Sequence, residues 1–434
     1  MDLLYANDRR GEYPQSWYAE TAELLPPFEP LRGETRADVC VVGAGYTGLS
    51  AALHLARAGA RVTVVEAQRV GFGASGRNGG QLGGGQRVDQ IKLEAMLGRD
   101  AAHRLWTLGE DAKALVKSLV AELGLDVQLR PGVAWSGSTQ GEVDDLHRYA
   151  AHLASDYGYE HMEVMDQAAW RGLCPSPDYK GGIVDWDAAH LHPLRLVLGL
   201  ARACAAAGVR IHETSAAHHV APGSPALVQT DRGRVLADAV ILAGNGYLGG
   251  LDRRVAARVM PINNFIVATE PLGARAAEVL TRDVAVADSR FVINYFRMTP
   301  DQRLLFGGGE SYGYRFPADI RAVVRKPMLT VFPSLANVQL THAWGGTLAI
   351  TMKRLPYLAR VAPGVLSSSG YSGHGVGTAI HAGMLMAEAV RGQSDGFDTM
   401  AAIPSAPFPG AGALRAPLLT LAMSWYALRD RLGI

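Results

Sequence analysis

Gly43, Gly45 and Gly48 have the spacing of a phosphate-binding turn, and Glu66 follows about twenty residues later. In such a turn the first glycine permits a tight bend, the second lets a pyrophosphate approach the backbone, and the third lets a helix pack closely on a strand. The free N–H groups at the start of that helix attract phosphate, and the acid accepts hydrogen bonds from ribose hydroxyls. The spacing predicts a dinucleotide site; the alternative is a glycine-rich turn in another α/β unit.

The elements needed to position this turn surround it in the sequence. Residues 37–42 form an apolar run typical of a buried parallel strand. Residues 47–58 carry the small and apolar side chains of a packed helix, which Gly59 ends. Residues 61–65 form a second apolar run that leads into Glu66. The order of strand, glycine turn, helix, strand and acid predicts a Rossmann-like unit.

A second glycine-rich segment indicates which dinucleotide is bound. Residues 71–81 read Gly-Phe-Gly-Ala-Ser-Gly-Arg-Asn-Gly-Gly-Gln, and these side chains are too small to build a core. The segment resembles the FAD-dependent D-amino-acid oxidase superfamily, most closely its γ-glutamylputrescine oxidoreductase-like amine oxidoreductases. The resemblance covers nearly the whole chain and implies that the nucleotide is FAD.

The resemblance also implies which residues contact FAD. Residues 71–81 are expected along the pyrophosphate and ribityl chain, reaching the isoalloxazine. The glycines of residues 370–377 are expected to point a helix N-terminus at the flavin pyrimidine edge, where a positive helix end stabilises the charge of reduced flavin. The expected cofactor-binding residues are Gly43, Gly45, Tyr46, Thr47, Gly48, Glu66, Ala67, Ala74, Ser75, Arg77, Asn78, Gly79, Gly80, Gln81, Gly373, His374, Gly375, Val376, Gly377 and Thr378.

The FAD is expected to be non-covalent. Covalent relatives use a cysteine in the C-terminal flavin loop or a histidine in the early glycine segment. No cysteine follows Cys204, and Arg77 and Asn78 occupy the early segment. The sequence has no second glycine fingerprint with a strand before it, so we expect electrons to come from an organic substrate and not from a nicotinamide.

The implied activity is oxidation of a carbon–nitrogen bond in a primary or secondary amine, such as γ-glutamylputrescine. A hydride passes from the carbon beside the neutral amine to flavin N5, and the imine then hydrolyses to an aldehyde. Oxygen or another acceptor reoxidises the flavin, and no side-chain base is strictly required. The alternatives are an amino-acid, glycine or sarcosine-type oxidase, the flavin subunit of a multi-subunit amine dehydrogenase, and a non-catalytic FAD-binding protein.

One departure from the superfamily pattern bears on the substrate. Its amino-acid oxidases carry an arginine that clamps the substrate carboxylate through two hydrogen bonds. Aligned on Thr351 and Leu355, this chain has Leu348 at that position. An amine without an α-carboxylate is therefore expected to be preferred, unless Arg297 or Arg354 supplies a substitute clamp.

Four side chains are candidates for the catalytic site, namely Trp344, Arg297, Tyr295 and His374. Strand alternation predicts that Tyr295 and Arg297 share one face. The alternatives are core packing for Trp344 and Tyr295, a surface ion pair for Arg297, and a structural turn for His374. His218 and His219 are adjacent, but no third ligand is spaced to complete a metal site, and no metal is expected.

Composition excludes several classes of protein. The 434 residues carry a net charge of +1, which gives no bulk attraction to nucleic acid. The three cysteines have no metal-ligand or redox-pair spacing, which favours a reducing compartment. No secretion signal or membrane span is evident, so a cytoplasmic location is expected. The sequence leaves the oligomeric state open.

We therefore expect an α/β protein in which a Rossmann-like FAD domain interleaves with a substrate domain built on a mixed or antiparallel sheet. Residues 1–36 are expected to form an N-terminal arm. Residues 37–88, 182–251 and 345–395 are assigned to the FAD domain, and residues 89–181 and 252–344 to the substrate domain. Residues 396–434 are expected to form a C-terminal tail with an amphipathic helix over residues 414–432, docked on the enzyme or on a membrane surface.

Overall fold

The computed structural model of the chain describes residues 2–290 and 292–409. Its strands, in chain order, are β1 (Gly33–Val42), β2 (Val62–Val65), β3 (Gln81–Leu82), β4 (Arg130–Gly137), β5 (Met162–Met165), β6 (Gly181–His190), β7 (Arg210–His212), β8 (Ala217–Ala221), β9 (Ala226–Thr230), β10 (Gly233–Leu242), β11 (Met260–Thr269), β12 (Ala285–Asp288), β13 (Tyr295–Met298), β14 (Leu304–Ser311), β15 (Leu340–Ile350), β16 (Tyr357–Ala362) and β17 (Val365–Ser369). Its α-helices are α1 (Trp17–Thr21), α2 (Tyr46–Arg57), α3 (Gln90–Leu97), α4 (Arg99–Glu122), α5 (Gln140–Tyr157), α6 (Gln167–Leu173), α7 (Pro193–Ala206), α8 (Arg253–Arg258), α9 (Ile320–Val331), α10 (Gly375–Val390) and α11 (Asp395–Ala401).

The first sheet contains the predicted Rossmann-like unit. Its strand order is β16-β17-β10-β1-β2-β7, and β9 and β8 extend from β10. The pairs of β1 with β10 and β2, of β10 with β17, and of β2 with β7 are all parallel. Every residue of β2 is buried, as expected for a parallel strand covered on both faces. The predicted order of strand, turn, helix and strand is confirmed in β1, α2 and β2.

The second sheet is mixed and mostly antiparallel. Its order is β15-β11-β14-β13-β12-β4-β6-β3, with β5 paired to β6. The pair of β12 with β4 is parallel, whereas β11 runs antiparallel to both β14 and β15. β13 and β14 pair antiparallel as a hairpin whose turn contains Thr299, Pro300 and Asp301. The chain alternates between the two sheets, which confirms the expected fold class.

Sheet membership shifts the domain boundaries that the sequence predicts. β1 begins at Gly33, inside the predicted N-terminal arm. β6 and most of β15 fall in ranges assigned to the FAD domain, yet both strands belong to the second sheet. Conversely, Leu105 and Val116 of α4 share one core cluster with α2 and α10, although α4 falls in the predicted substrate domain. Apolar periodicity marks a buried element but does not say which sheet that element covers.

The N-terminal arm packs against the core of the protein through α1. Trp17 and Tyr18 are buried, and the ring of Tyr18 lies 5.2 Å from that of Trp344 on β15. No helix within residues 2–290 and 292–409 is long and apolar enough to cross a membrane. The amphipathic helix predicted over residues 414–432 lies outside the described residues.

Candidate active site

A cavity of about 550 Å³ lies where the carboxyl ends of β1 and β2 meet the face of the second sheet. Ligand sites in such open α/β sheets occupy this crevice. Most of the residues predicted to bind the cofactor line it. These are Gly43, Gly45, Tyr46, Thr47, Glu66, Ala67, Ala74, Ser75, Arg77, Asn78, Gly79, Gly80, Gln81, Gly373, Gly375 and Val376.

The glycine turn after β1 brings the N-terminus of α2 to this cavity. Gly43 has a φ of +106°, a conformation that side chains other than glycine rarely adopt. A Cβ on Gly48 would lie 1.9 Å from the carbonyl oxygen of Gly43, so only glycine lets α2 approach β1 this closely. Gly48 itself does not line the cavity, which agrees with a packing role. The Tyr46 N–H donates to Ser75 Oγ (3.0 Å), and the following N–H groups of Thr47 and Gly48 have no partner within the helix and face the position of a phosphate.

Glu66 stands at the end of β2 and supports the turn. Its Oε2 accepts a hydrogen bond from the Ala44 N–H (2.7 Å), and its Oε1 accepts one from the Gln68 N–H (2.9 Å). Burial raises the pKa of Glu66 to about 7, in spite of these backbone donors, which act to lower it. The carboxylate keeps lone pairs for further donors, as a ribose contact requires.

This raised pKa gives a testable pH dependence for the FAD-free protein. The folded protein holds the Glu66 proton up to about pH 7, whereas the unfolded chain releases it near pH 4.5. Stabilisation from this proton is therefore complete below pH 4.5 and is lost as the pH rises to 7. We expect the free energy of unfolding of the wild type to fall across this window relative to that of Glu66→Gln. Urea unfolding of both apoproteins at several pH values measures the difference, and parallel curves would contradict it.

The second glycine segment forms a compact loop between the two sheets. The Asn78 amide donates to the carbonyl oxygens of Ala74 and Ser75 (3.0 and 3.1 Å), and its Oδ1 accepts from the Gly80 N–H (2.8 Å). A Cβ on Gly79 would lie 2.8 Å from the ring of Tyr295. The loop therefore brings bare backbone to the cavity, directly beside a side chain of the second sheet.

Arg77 has a structural role that its sequence position did not reveal. Its Nε donates to the Phe72 carbonyl oxygen (2.6 Å), and its Nη1 contacts Asp8 (2.9 Å) and the Gly345 carbonyl oxygen (3.0 Å). The side chain is 1% exposed, and that of Asp8 is 15% exposed. The guanidinium thus ties the glycine loop to the N-terminal arm and to β15.

Asp8→Asn is expected to lower the free energy of unfolding by about 3 kcal/mol, because it leaves the buried charge of Arg77 without its ionic partner. The matched control is Asp231→Asn, which breaks the exposed pair with Arg10 and is expected to cost less than about 1 kcal/mol. Urea unfolding of the FAD-bound proteins measures both changes. Equal losses in the two variants would show that the Asp8–Arg77 pair has no special role.

The helix N-terminus at α10 also reaches the cavity, but its histidine does not. Gly373, Gly375 and Val376 line the cavity, whereas His374, predicted in both the cofactor and catalytic sets, does not. Its imidazole lies beside Gly83, where an added Cβ would be 3.3 Å from Cε1, and burial lowers its pKa to about 4.

Gly377 and Thr378 of α10 were also predicted to contact the cofactor, but they do not line the cavity. A Cβ on Gly377 would lie 3.2 Å from Leu82, and Thr378 bonds back to the carbonyl of His374. Gly375, Val376 and Ala379 therefore line the cavity from one side of the helix, and Gly377 and Thr378 lie on the other side.

Of the predicted catalytic side chains on the second sheet, Tyr295 lines the cavity, and Trp344 and Arg297 do not. Trp344 donates its indole N–H to the Arg77 carbonyl oxygen (3.1 Å), and Arg297 Nε donates to the Gly79 carbonyl oxygen (3.2 Å). Arg297 shares the sheet face of Tyr295, as alternation predicts, but Tyr18 of the N-terminal arm packs against Arg297 and Trp344 there. Strand alternation predicts which face a side chain lies on, but it cannot predict that a segment distant in the sequence packs on that face.

Several cavity residues have no signal in the sequence. Arg87 and Glu310 line the cavity, each just after a glycine run, and Asn264 lines it from β11. Leu348 and Arg354, which sequence alignment singles out, also line it. In the described residues, no group of three or more His, Cys, Asp or Glu side chains is placed to hold a metal ion.

The cavity fits a dinucleotide. It pairs a glycine turn and two helix N-termini, suited to phosphate and to developing negative charge, with an acid at the end of the second strand. Its bare glycine backbone allows close approach, and its volume lies in the range of ordinary cofactor sites.

Comparison with known proteins agrees with this geometry. The family of FAD-dependent oxidoreductases matches residues 38–389. The chain is 43% identical to a probable oxidoreductase, OrdL, of Rhizobium meliloti, over 96% of this chain and 97% of the relative. It is 38% identical to γ-glutamylputrescine oxidoreductase of Escherichia coli, over 98% of this chain and 100% of the relative.

Solved structures share the fold. Glycine oxidase from Geobacillus kaustophilus superposes with a TM-score of 0.69 at 22% identity, covering 82% of this chain and 95% of that one. L-Proline dehydrogenase from P. horikoshii superposes with a TM-score of 0.67 at 19% identity, covering 84% and 95%. The extent of the family match and the full-length relatives lead to one conclusion: the chain belongs to the FAD-dependent oxidoreductases of the D-amino-acid oxidase family.

Proposed function

We propose that this enzyme uses FAD, held non-covalently in the cavity, to oxidise a carbon–nitrogen bond of a primary or secondary amine of the γ-glutamylputrescine type. The observation that carries the proposal is Leu348 in the cavity wall, at the position where amino-acid oxidases of the family have their carboxylate-clamping arginine. The 38% identity to γ-glutamylputrescine oxidoreductase over the full length of both chains supports it.

Different residues of the chain are proposed to hold different parts of FAD. The turn at Gly43 and Gly45, with the N-terminus of α2, is proposed to hold the pyrophosphate. Glu66 is proposed to accept hydrogen bonds from the ribose hydroxyls. The backbone of residues 79–81 and the N-terminus of α10 are proposed to flank the flavin. When bound, FAD supplies the acceptor for the hydride that leaves the substrate carbon.

The side chains of the second sheet orient the substrate and exclude water. Tyr295 donates a hydrogen bond from its hydroxyl to Asn264 Oδ1 (2.5 Å), and its ring is seated between Gly79 and Gly307. Burial raises the pKa of Tyr295 far above its ordinary value, so the hydroxyl stays protonated and neutral. Tyr295 and Leu348 therefore give the reacting amine an uncharged surface, which favours its neutral, reactive form.

Non-covalent attachment is supported by the cysteines, since Cys40, Cys174 and Cys204 are buried and none of them lines the cavity. We expect the protein to purify yellow and to release intact FAD into the supernatant after acid precipitation. Colour that remains with the precipitate would show a covalent link.

The experiment that tests the proposed reaction is product analysis. Incubation of the enzyme with γ-glutamylputrescine and an electron acceptor is expected to yield ammonia and an aldehyde in equal amounts, because the imine of a primary amine hydrolyses to both. Consumption of the acceptor without formation of an aldehyde would contradict the proposal.

A glycine- or sarcosine-type amino-acid oxidase is the second candidate, because Arg354 also lines the cavity and an arginine there can bind a carboxylate. Arg297 does not favour this candidate, since it is 3% exposed and donates to the Gly79 backbone. Rates of flavin reduction by amines and amino acids distinguish the two candidates.

A further inference from the structure

Apart from Arg77 and Arg290, which pair with carboxylates of the protein, three charged side chains in the cavity wall are not used by any proposed FAD contact. They are Arg87, from the loop after β3, Glu310 of β14, and Arg354, from the loop between β15 and β16. We refer to them as the charged trio. Buried charges in a ligand cavity are costly to keep unless they pair with each other or with a ligand.

Strand register places Glu310, the one member of the trio that lies on a strand, away from Leu348. Asn264 of β11 pairs with Glu310 on one side and with Gly346 on the other. Glu310 and Gly346 are therefore two strand spacings apart, roughly 10 Å. Leu348 lies on the same sheet face as Gly346, two residues further along β15. On this sheet face the carboxylate of Glu310 and the apolar side chain of Leu348 are therefore separated by at least the width of two strand spacings.

The trio carries more positive than negative charge. Glu310 accepts a hydrogen bond from the Tyr312 hydroxyl (2.9 Å), and both arginines interact electrostatically with its carboxylate. Burial disfavours the charged form of all three side chains, since it raises the pKa of Glu310 and lowers the pKa of Arg87 and Arg354. The two guanidinium groups offer donors to a ligand carboxylate, and the carboxylate of Glu310 offers an acceptor to a ligand ammonium group.

We infer that the charged trio is a subsite for the remote α-amino-acid head of an extended amine substrate. Arg87 and Arg354 bind the carboxylate of the head, and Glu310 binds its ammonium group. This inference rests on the proposed function, because it assumes that the opposite, reactive end of the amine lies beside Leu348. A γ-glutamyl amide of a diamine has the required form, with a zwitterionic head joined by a long chain to a terminal amine.

The test uses three amines that differ only in the head. γ-Glutamylputrescine carries both charges, N-glutarylputrescine lacks the ammonium, and N-butyrylputrescine lacks both. With the wild-type FAD-bound enzyme, apparent Kd values from anaerobic flavin reduction and from calorimetry are expected to rise about ten- to a hundredfold when the carboxylate is removed. Equal Kd values for N-glutaryl- and N-butyrylputrescine would overturn the inference without any variant.

Single-residue variants test which side chain of the trio binds which charged group of the head. Arg87→Gln and Arg354→Gln are each expected to raise the Kd of N-glutarylputrescine at least tenfold, with no comparable rise for N-butyrylputrescine. Glu310→Gln is expected to remove the preference for γ-glutamylputrescine over N-glutarylputrescine. Arg32→Gln, an exposed charge change outside the cavity, is the matched control and is expected to leave all three Kd values in place. FAD content and Tm are measured for each variant.

The outcomes separate this inference from the proposed function. If N-butyrylputrescine binds and reduces the flavin as well as γ-glutamylputrescine does, the amine oxidase function stands and the subsite is refuted. If calorimetry shows the head-group preference but no amine reduces the flavin, the subsite stands and the proposed reaction is refuted.

Discussion

Gly48→Ala is expected to weaken FAD binding by up to about a hundredfold. The new Cβ would lie 1.9 Å from the carbonyl oxygen of Gly43 and 3.1 Å from a methyl group of Val41. Neither neighbour can give way easily, because one is backbone and the other is in the core, so α2 must shift away from β1. Overpacking of this kind costs about 1–3 kcal/mol, and the shift displaces the helix N-terminus proposed to hold the pyrophosphate.

Gly141→Ala is the matched control for this substitution. Gly141 also lies in the first turn of a helix, α5, but an added Cβ meets nothing within 4 Å. Alanine is expected to stabilise that helix by about 0.5–1 kcal/mol and to leave FAD affinity unchanged. Reconstitution of the apoproteins with FAD, followed by flavin fluorescence, measures both affinities. Full affinity in Gly48→Ala would show that the glycine turn does not position the cofactor.

Free α-amino acids are expected to reduce the flavin at least about a hundredfold more slowly than γ-glutamylputrescine. A small amino acid positioned for reaction would bury its carboxylate next to Leu348, an apolar side chain of the cavity wall at the position of the family's clamping arginine. A buried carboxylate without a charged partner costs several kcal/mol. At about 1.4 kcal/mol per tenfold, this corresponds to a deficit of two or more orders of magnitude.

The comparison is made by anaerobic stopped-flow reduction with glycine, D-alanine, sarcosine, putrescine and γ-glutamylputrescine. Putrescine, which has no head group, is expected to fall between γ-glutamylputrescine and the amino acids. If an α-amino acid is fastest, the interpretation of Leu348 is wrong. Arg354→Gln then shows whether that arginine is the clamp, since Arg297 is covered by Tyr18.

The turn after β1 was predictable because its signal is local. Glycine spacing, the apolar run before it and the acid after it are all encoded within about thirty consecutive residues, and the structure has β1, α2 and β2 in the predicted order. The resemblance carried by residues 71–81 was equally local and led to the correct family. Sequence patterns of this kind report backbone geometry, which depends on nearby residues.

Contacts between distant segments were not predictable in the same way. The resemblance assigns Arg77 to the cofactor, and the structure, which places Arg77 in the cavity wall, adds a pair between its guanidinium and Asp8 of the N-terminal arm. Arg297 lies on the same sheet face as Tyr295, as alternation predicts, but Tyr18 packs against both Arg297 and Trp344. The charged trio forms only when β14 and two loops meet, so no single stretch of sequence contains it.

Anaerobic titration of the purified, FAD-bound protein with γ-glutamylputrescine tests the central claim most directly. If the cavity holds FAD next to a site for the amine, one equivalent of substrate is expected to bleach the visible absorbance of the flavin completely, and readmitted oxygen or another acceptor to restore it. A flavin that dithionite reduces but that no member of the amine series bleaches would contradict the account.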